Sequence, residues 1–116
     1  MADITIYHNP RCTKSRQALQ MLRDRGIDPV IVEYLKQPLD MQQIRRLLEM
    51  LNLQPGELLR KKEAEYRALG LDKPGLSPAI LIKAMADHPV LIERPIVVAG
   101  AKAVLARPPE KVLDIL

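Results

Sequence analysis

The chain has no tryptophan and no phenylalanine, and its only aromatic side chains are Tyr7, Tyr34 and Tyr66. A core must therefore be built from Leu, Ile, Val, Met and Ala, and the stacking platforms that grip single-stranded nucleic acid are nearly excluded. A single cysteine, Cys12, leaves no partner for an internal disulfide. With His8 and His88 as the only histidines, it cannot complete a thiolate-rich zinc site at any usual spacing, so no metal is expected. No apolar run approaches the ~18 residues of a membrane span, and Met1-Ala2-Asp3-Ile4 lacks the basic-then-apolar pattern of an export signal. No membrane association is expected, and the scarcity of cysteine fits a reducing, cytoplasmic setting. The excess of one charge over the other is also small. Eighteen basic against fourteen acidic residues give +4, too little to imply a nucleic-acid partner but compatible with a small anionic substrate.

What is present reads as one soluble domain of 116 residues, 47% hydrophobic and 28% charged. Asp3-Ile4-Thr5-Ile6-Tyr7 is β-branched and halts at His8-Asn9-Pro10, which predicts a short strand entering a loop. Thr13 to Arg25 contains neither Gly nor Pro and places Ser15, Ala18, Leu19 and Leu22 on one helical face, with Gly26 suited to the exit. Val30 to Tyr34 predicts a second strand, parallel to the first by the right-handed crossover rule. Further on, Asp40 is placed to cap a helix carrying Ile44, Leu47, Leu48 and Leu51, and Pro55 to open a shorter one through Leu58 and Leu59. Ser77-Pro78 predicts a third helix, with Ile80, Leu81, Ala84 and Met85 turned inward. Two apolar strands then flank Gly100-Ala101, and Pro108 opens a last helix through Val112, Leu113 and Leu116.

A two-residue turn with Gly first is a favoured type II′ hairpin connection, and Gly100-Ala101 pairs positions whose numbers sum to 201. Arg94 and Arg107 satisfy that sum. They are expected opposite each other at the open end of the hairpin, on one face, roughly 20 Å from the turn at ~3.3 Å per residue. Two guanidiniums so placed repel unless an anion lies between them. Each also precedes a proline, which favours extended backbone and removes the next ladder donor.

Cys12 falls where the first strand-loop meets a helix, so unpaired N–H groups and the positive helix end face its sulfur. An unperturbed thiol is only about 3% ionised at pH 7, and lowering its pKa by two units requires roughly 2.7 kcal/mol. A helix end supplies ~0.3–1 kcal/mol. The remainder must come from other donors and charges, and His8, the Ser15 hydroxyl and Arg11, Lys14 or Arg16 are the local candidates. The alternative for Cys12 is a small buried hydrophobe, with His8 as a loop hydrogen bonder. Because Cys-x-x-Ser has no second thiol, an oxidised or substrate-bound Cys12 needs an external thiol to resolve it. A phosphatase loop would need Arg at position 18, which is Ala, and there is no glycine-rich phosphate loop or dinucleotide fingerprint.

Four segments together resemble the glutaredoxin-coupled arsenate reductase (ArsC) family, over nearly the whole chain. They are Tyr7-His8-Asn9-Pro10-x-Cys12-x-x-Ser15-Arg16, Leu58-Leu59-Arg60, Leu91-Ile92-x-Arg94-Pro95-Ile96-Val97-Val98 and Arg107-Pro108-Pro109-Glu110-x-Val112-Leu113. The resemblance implies an α/β, thioredoxin/glutaredoxin-like fold: a central mixed four-stranded sheet made from a β-α-β and a β-β-α unit. It implies a single domain over 1–116 with a helical insertion at about 39–88, and a cis Pro95 beside the cysteine. Carried across by motif, Cys12 is the nucleophile, His8 promotes its thiolate with Ser15 in the same catalytic group, and Arg60, Arg94 and Arg107 bind the oxyanion. Arsenate is then the substrate, glutathione the co-substrate and glutaredoxin the partner, with no bound cofactor. The family's usual Gly-Thr between cysteine and serine is replaced here by Thr13-Lys14, which adds a side chain where an oxyanion approaches the backbone.

Two other classes compete. A regulator resembling Spx shares the fold but binds RNA polymerase; the His8-Asn9-Pro10 lead-in and Ser15 in place of a second cysteine argue against it. A monothiol redox protein acting on glutathionylated partners needs Cys12 but tolerates loss of Arg107. Elsewhere, Arg60-Lys61-Lys62 reads by itself as a solvated helix face, Glu63 and Glu65 as its charge balance, and His88 as a helix-end residue. Met21, Met41, Met50 and Met85 read as packing.

Overall fold

The computed structural model describes residues 3–116, which fall into two compact units. The first combines residues 3–37 with Arg94–Leu116, and the second is Pro38–Glu93.

In the first unit β1 (Ile4–Tyr7) leads through a loop into α1 (Thr13–Asp24), and β2 (Val30–Val32) returns beside β1. The pair is parallel, with Thr5 opposite Val30 and Tyr7 opposite Val32. On the other side β1 pairs antiparallel with β3 (Ile96–Ala99), and β3 turns into β4 (Lys102–Leu105), giving the order β2-β1-β3-β4. This mixed sheet is the thioredoxin-like arrangement. The hairpin keeps the expected register, Ile96 facing Leu105 and Ala99 facing Lys102. Gly100 has φ +61°, and among the described non-glycine residues only Asn52 has a positive φ, as a type II′ turn requires. Helix α1 buries Ser15, Ala18, Leu19 and Leu22. Its apolar face joins Ile6, Val97, Ala106 and Val112 in one core, with Met21 packed at the margin.

Two expectations for this unit need correction. Strand β2 stops at Val32, because Glu33 opens a turn in which its carbonyl accepts from Lys36 and Gln37. The last helix, Pro109–Ile115, is 3₁₀ and not α. At three residues per turn the inward positions are Pro109, Val112 and Ile115, so Leu113 and Leu116 are left exposed.

In the second unit α2 (Met41–Leu51) begins with a full capping box. The Asp40 carboxylate accepts from the Gln43 N–H (2.8 Å), and the Gln43 side-chain oxygen accepts from the Asp40 N–H (2.9 Å). Ile44, Leu47 and Leu48 face inward. Pro55 opens only a single 3₁₀ turn, Pro55–Glu57. Leu58 ends that turn, and Leu59 instead bridges antiparallel to Ile92, with Arg60 N–H on the Leu91 carbonyl (2.7 Å) and Glu93 N–H on that of Leu58 (2.8 Å). A short α3 (Ala64–Ala68) has no counterpart in the sequence expectations. Helix α4 (Pro78–Asp87) starts at the Ser77 cap but buries Ile82 and Met85, while Ile80 is exposed. The run Ala79-Ile80-Leu81-Ile82 is apolar on every side, so periodicity cannot choose its inner face; contact with α2 does. Among the described residues no helix is long and apolar enough to cross a membrane.

Candidate active site

The loop between β1 and α1 is fixed by its own backbone and by Asn9. The Asn9 side-chain oxygen accepts from the Arg11 N–H (3.0 Å), and its carbonyl accepts from the Cys12 N–H (3.0 Å). Cys12 is the N-cap of α1, extended at φ −93°, ψ 122°, and its carbonyl takes the Arg16 N–H (3.0 Å) as the first helical bond. The sulfur is thus placed at the helix N-terminus, half-buried.

Burial pushes the Cys12 thiol up, but this is outweighed. The backbone N–H of Ser15, the charge of the Arg94 guanidinium, the backbone N–H of Lys14 and a hydrogen bond from Arg94 all favour the thiolate, and the pKa lies below that of an ordinary thiol. Ser15 and Lys14 are the third and second helical residues, whose N–H groups an N-cap side chain addresses. The source of positive charge differs from the local expectation. Arg11, Lys14 and Arg16 are exposed, and the cation that acts on the sulfur is Arg94, far away in sequence. Lys14 contributes its backbone and not its ammonium group. Arg16 spans the loop from outside, donating to the Pro10 carbonyl (3.2 Å) and to the Thr13 hydroxyl (3.3 Å).

The Ser15 hydroxyl is also differently employed. It is fully buried, accepts from the Asn9 N–H (3.1 Å) and lies 2.6 Å from His8 Nδ1. His8 is itself buried, its N–H bonded to the Val32 carbonyl (2.8 Å). His8 thus holds the hydroxyl of Ser15, the residue whose backbone N–H addresses the sulfur. Burial lowers the pKa of His8; Glu33 opposes this, and Arg23 and Arg16 reinforce it, so the neutral ring is favoured. The folded chain consequently binds fewer protons than the unfolded one just below the ordinary imidazole value of about 6.5. The stability this confers is complete above that value and is lost as pH falls through the interval. Urea midpoints should decline between pH 7.5 and pH 5, and the decline should be smaller in His8→Asn.

Arg94 and Arg107 meet at the open end of the hairpin, though not as two opposed cations. Both precede cis prolines, Pro95 and Pro108. The last ladder bond runs from the Ala106 N–H to the Pro95 carbonyl (2.9 Å), and beyond it Arg107 Nη1 donates to the Arg94 carbonyl (3.2 Å). The Nε and Nη1 atoms of Arg94 are buried without a hydrogen-bond partner among the described residues. Buried guanidinium N–H groups left unpaired are costly, and they suit a site that receives oxygen atoms from an anion.

Arg60 lies in the second unit. It is half-buried, in an ion pair with Glu63 and 3.5 Å from a Glu93 oxygen. The solvated-helix reading holds only for the exposure of Lys61 and Lys62; Arg60 directly follows the Leu59 bridge and is half-buried, and Glu63 balances it directly. The three-residue spacing of Arg60 and Glu63 was the available signal, whereas Glu93 needed the bridge register. Among the described residues no cluster of three or more His, Cys, Asp or Glu could hold a metal ion. An open groove of about 810 Å³ lies between the start of β1 and the end of α1, lined by Ile4, Ile27, Ala99 and Ile115, and includes none of the groups around Cys12.

Residues 7–115 match the ArsC family. "Uncharacterized protein YfgD" of Escherichia coli (strain K12) is 49% identical over 98% of this chain and 97% of its own length. "Arsenate reductase" of Neisseria meningitidis (strain MC58) is 44% identical over the whole of both chains. Among solved structures, "Arsenate reductase from Vibrio cholerae" superposes with a TM-score of 0.97 at 44% identity, covering 99% of this chain and 98% of that one.

Proposed function

The chain belongs to the ArsC family, and from that premise we propose that it reduces arsenate to arsenite through a covalent adduct on Cys12, with glutathione and glutaredoxin supplying the electrons. One observation carries the reading: a thiol held below its ordinary pKa beside an arginine whose Nε and Nη1 are buried and unpartnered.

In the first step the Cys12 thiolate attacks arsenic and one arsenate oxygen leaves as water, forming an S–As bond with arsenic still pentavalent. Arg94 and Arg107 bind the remaining oxygens, as planar donors suited to a tetrahedral anion. Arg60 is given an oxyanion-binding role on the strength of its family motif alone; within its own unit it is paired with Glu63 and Glu93. His8 and Ser15 keep the helix N–H groups on the sulfur. Glutathione then adds to arsenic with loss of a second water. The glutaredoxin thiolate attacks the glutathione sulfur, and the electron pair of the glutathione S–As bond passes to arsenic. Two thiols have become a mixed disulfide, arsenic is trivalent, and hydrolysis frees arsenite and Cys12. Those reductants place the reaction in the cytoplasm.

With Cys12 as the only cysteine, no intramolecular disulfide can form for thioredoxin to reduce. Arsenate-dependent NADPH oxidation should therefore require glutathione, glutaredoxin and glutathione reductase together. Equal turnover with thioredoxin and its reductase alone would remove the glutaredoxin-coupled mechanism.

A further inference from the structure

The contact between Arg107 and Arg94 carries a role for Arg107 that does not depend on a bound anion. Among the described residues the Nε and Nη1 of Arg94 have no hydrogen-bond partner, so apart from its bond to Cys12 the head group gains no fixing contact from them. Its position on the sulfur must therefore be set from the backbone. On the C-terminal side the backbone is held by the ladder, through Pro95 and Ala106. The Arg94 carbonyl lies past the last ladder bond, and there a side chain takes over: Arg107 Nη1, half-buried, at 3.2 Å. The Arg107 N–H is itself engaged by the Leu105 carbonyl (2.8 Å), so the residue is anchored at both its main chain and its guanidinium.

We propose that Arg107 is a positioning residue for the Cys12 thiolate: clasping the Arg94 carbonyl, it fixes the turn from which the Arg94 guanidinium reaches the sulfur. The inference rests on the reading of Cys12 as a thiolate nucleophile and deepens it. Arg107 then acts on Cys12 before any oxyanion arrives, and it acts through Arg94. The charge that reaches the sulfur directly is that of Arg94.

The test is the pH dependence of Cys12 alkylation by iodoacetamide in buffer free of oxyanions, for the wild type, Arg94→Met, Arg107→Met and the double variant. Loss of the adjacent cation in Arg94→Met should raise the midpoint by about one pH unit. Arg107→Met should raise it by a large part of that, and the double variant should match Arg94→Met alone, because both substitutions interrupt one path. An Arg107→Met midpoint equal to that of the wild type overturns the inference. So does a double variant shifted by the sum of the single effects, which would make Arg107 a direct electrostatic contributor. A wild-type midpoint at the ordinary thiol value is the distinct failure of the thiolate reading itself, and an unshifted Arg94→Met removes the path through which Arg107 is said to act. If Arg107→Met does not fold cooperatively, Arg107→Gln replaces it, its side chain two bonds too short to reach the carbonyl.

Discussion

Cys12→Ser should lower arsenate-dependent turnover by more than about 10³-fold while leaving the protein folded, as removal of a nucleophile does where no neighbour can take its place. The hydroxyl of serine does not ionise near neutral pH, so the helix N–H groups and Arg94 that stabilise the thiolate have nothing to act upon. No other thiol exists in the chain to substitute. Cys12 is the N-cap of α1 and serine is a preferred N-cap residue, so the unfolding midpoint should be preserved or raised. Steady-state assay and urea denaturation of the same preparation separate the two effects. Retained turnover in a folded variant would end the assignment of Cys12 as nucleophile.

Arg94→Ala should have the next largest effect, because it removes two contributions at once. One is its proposed role as an oxyanion ligand: a hydrogen bond to a charged group is worth about 1.5–3 kcal/mol, or roughly 10- to 150-fold in kcat/KM. The other is the positive charge that favours the Cys12 thiolate. The two part with pH. Above the ordinary thiol pKa both proteins carry a thiolate, so the ionisation part of the deficit disappears and the binding part, seen as a raised KM for arsenate, persists. At pH 7 both are present and the loss in kcat/KM should reach about 10²-fold or more. Since Arg94 Nε and Nη1 are buried and unpartnered, the substitution also removes unsatisfied polar atoms, and stability should not fall with activity. A variant whose KM and kcat both equal those of the wild type would contradict the oxyanion role.

Much of the geometry around Arg94 could be read from the sequence because a short turn propagates its register. Gly100 with Ala101 fixes the pairing of every residue in the hairpin, and the contact of Arg107 with Arg94 is thirteen residues apart in sequence but adjacent in that register. Helix α1 was equally legible, since its buried face is a clean stripe from Ser15 to Leu22 between polar residues. What pattern could not supply was the use to which polar atoms are put. The Ser15 hydroxyl is committed to His8 and Asn9, so its service to Cys12 is through its backbone N–H. Arg11, Lys14 and Arg16, adjacent to Cys12 in sequence, are exposed, and the effective cation is Arg94, which lies just before β3. The 3₁₀ winding after Pro108 and the inner face of α4 were hidden for a different reason. One depends on a change of helical period, the other on which side α2 occupies.

The most direct test of the central claim is arsenic speciation of the product. Wild-type protein and Cys12→Ser would each be incubated with arsenate, glutathione and reduced glutaredoxin, and arsenite measured without coupling enzymes. Arsenite should accumulate with the wild type, stoichiometric with the glutathione disulfide of glutaredoxin, and stay at the protein-free background with the variant. Equal arsenite from both proteins, or none above background from the wild type, would contradict reduction of arsenate through Cys12.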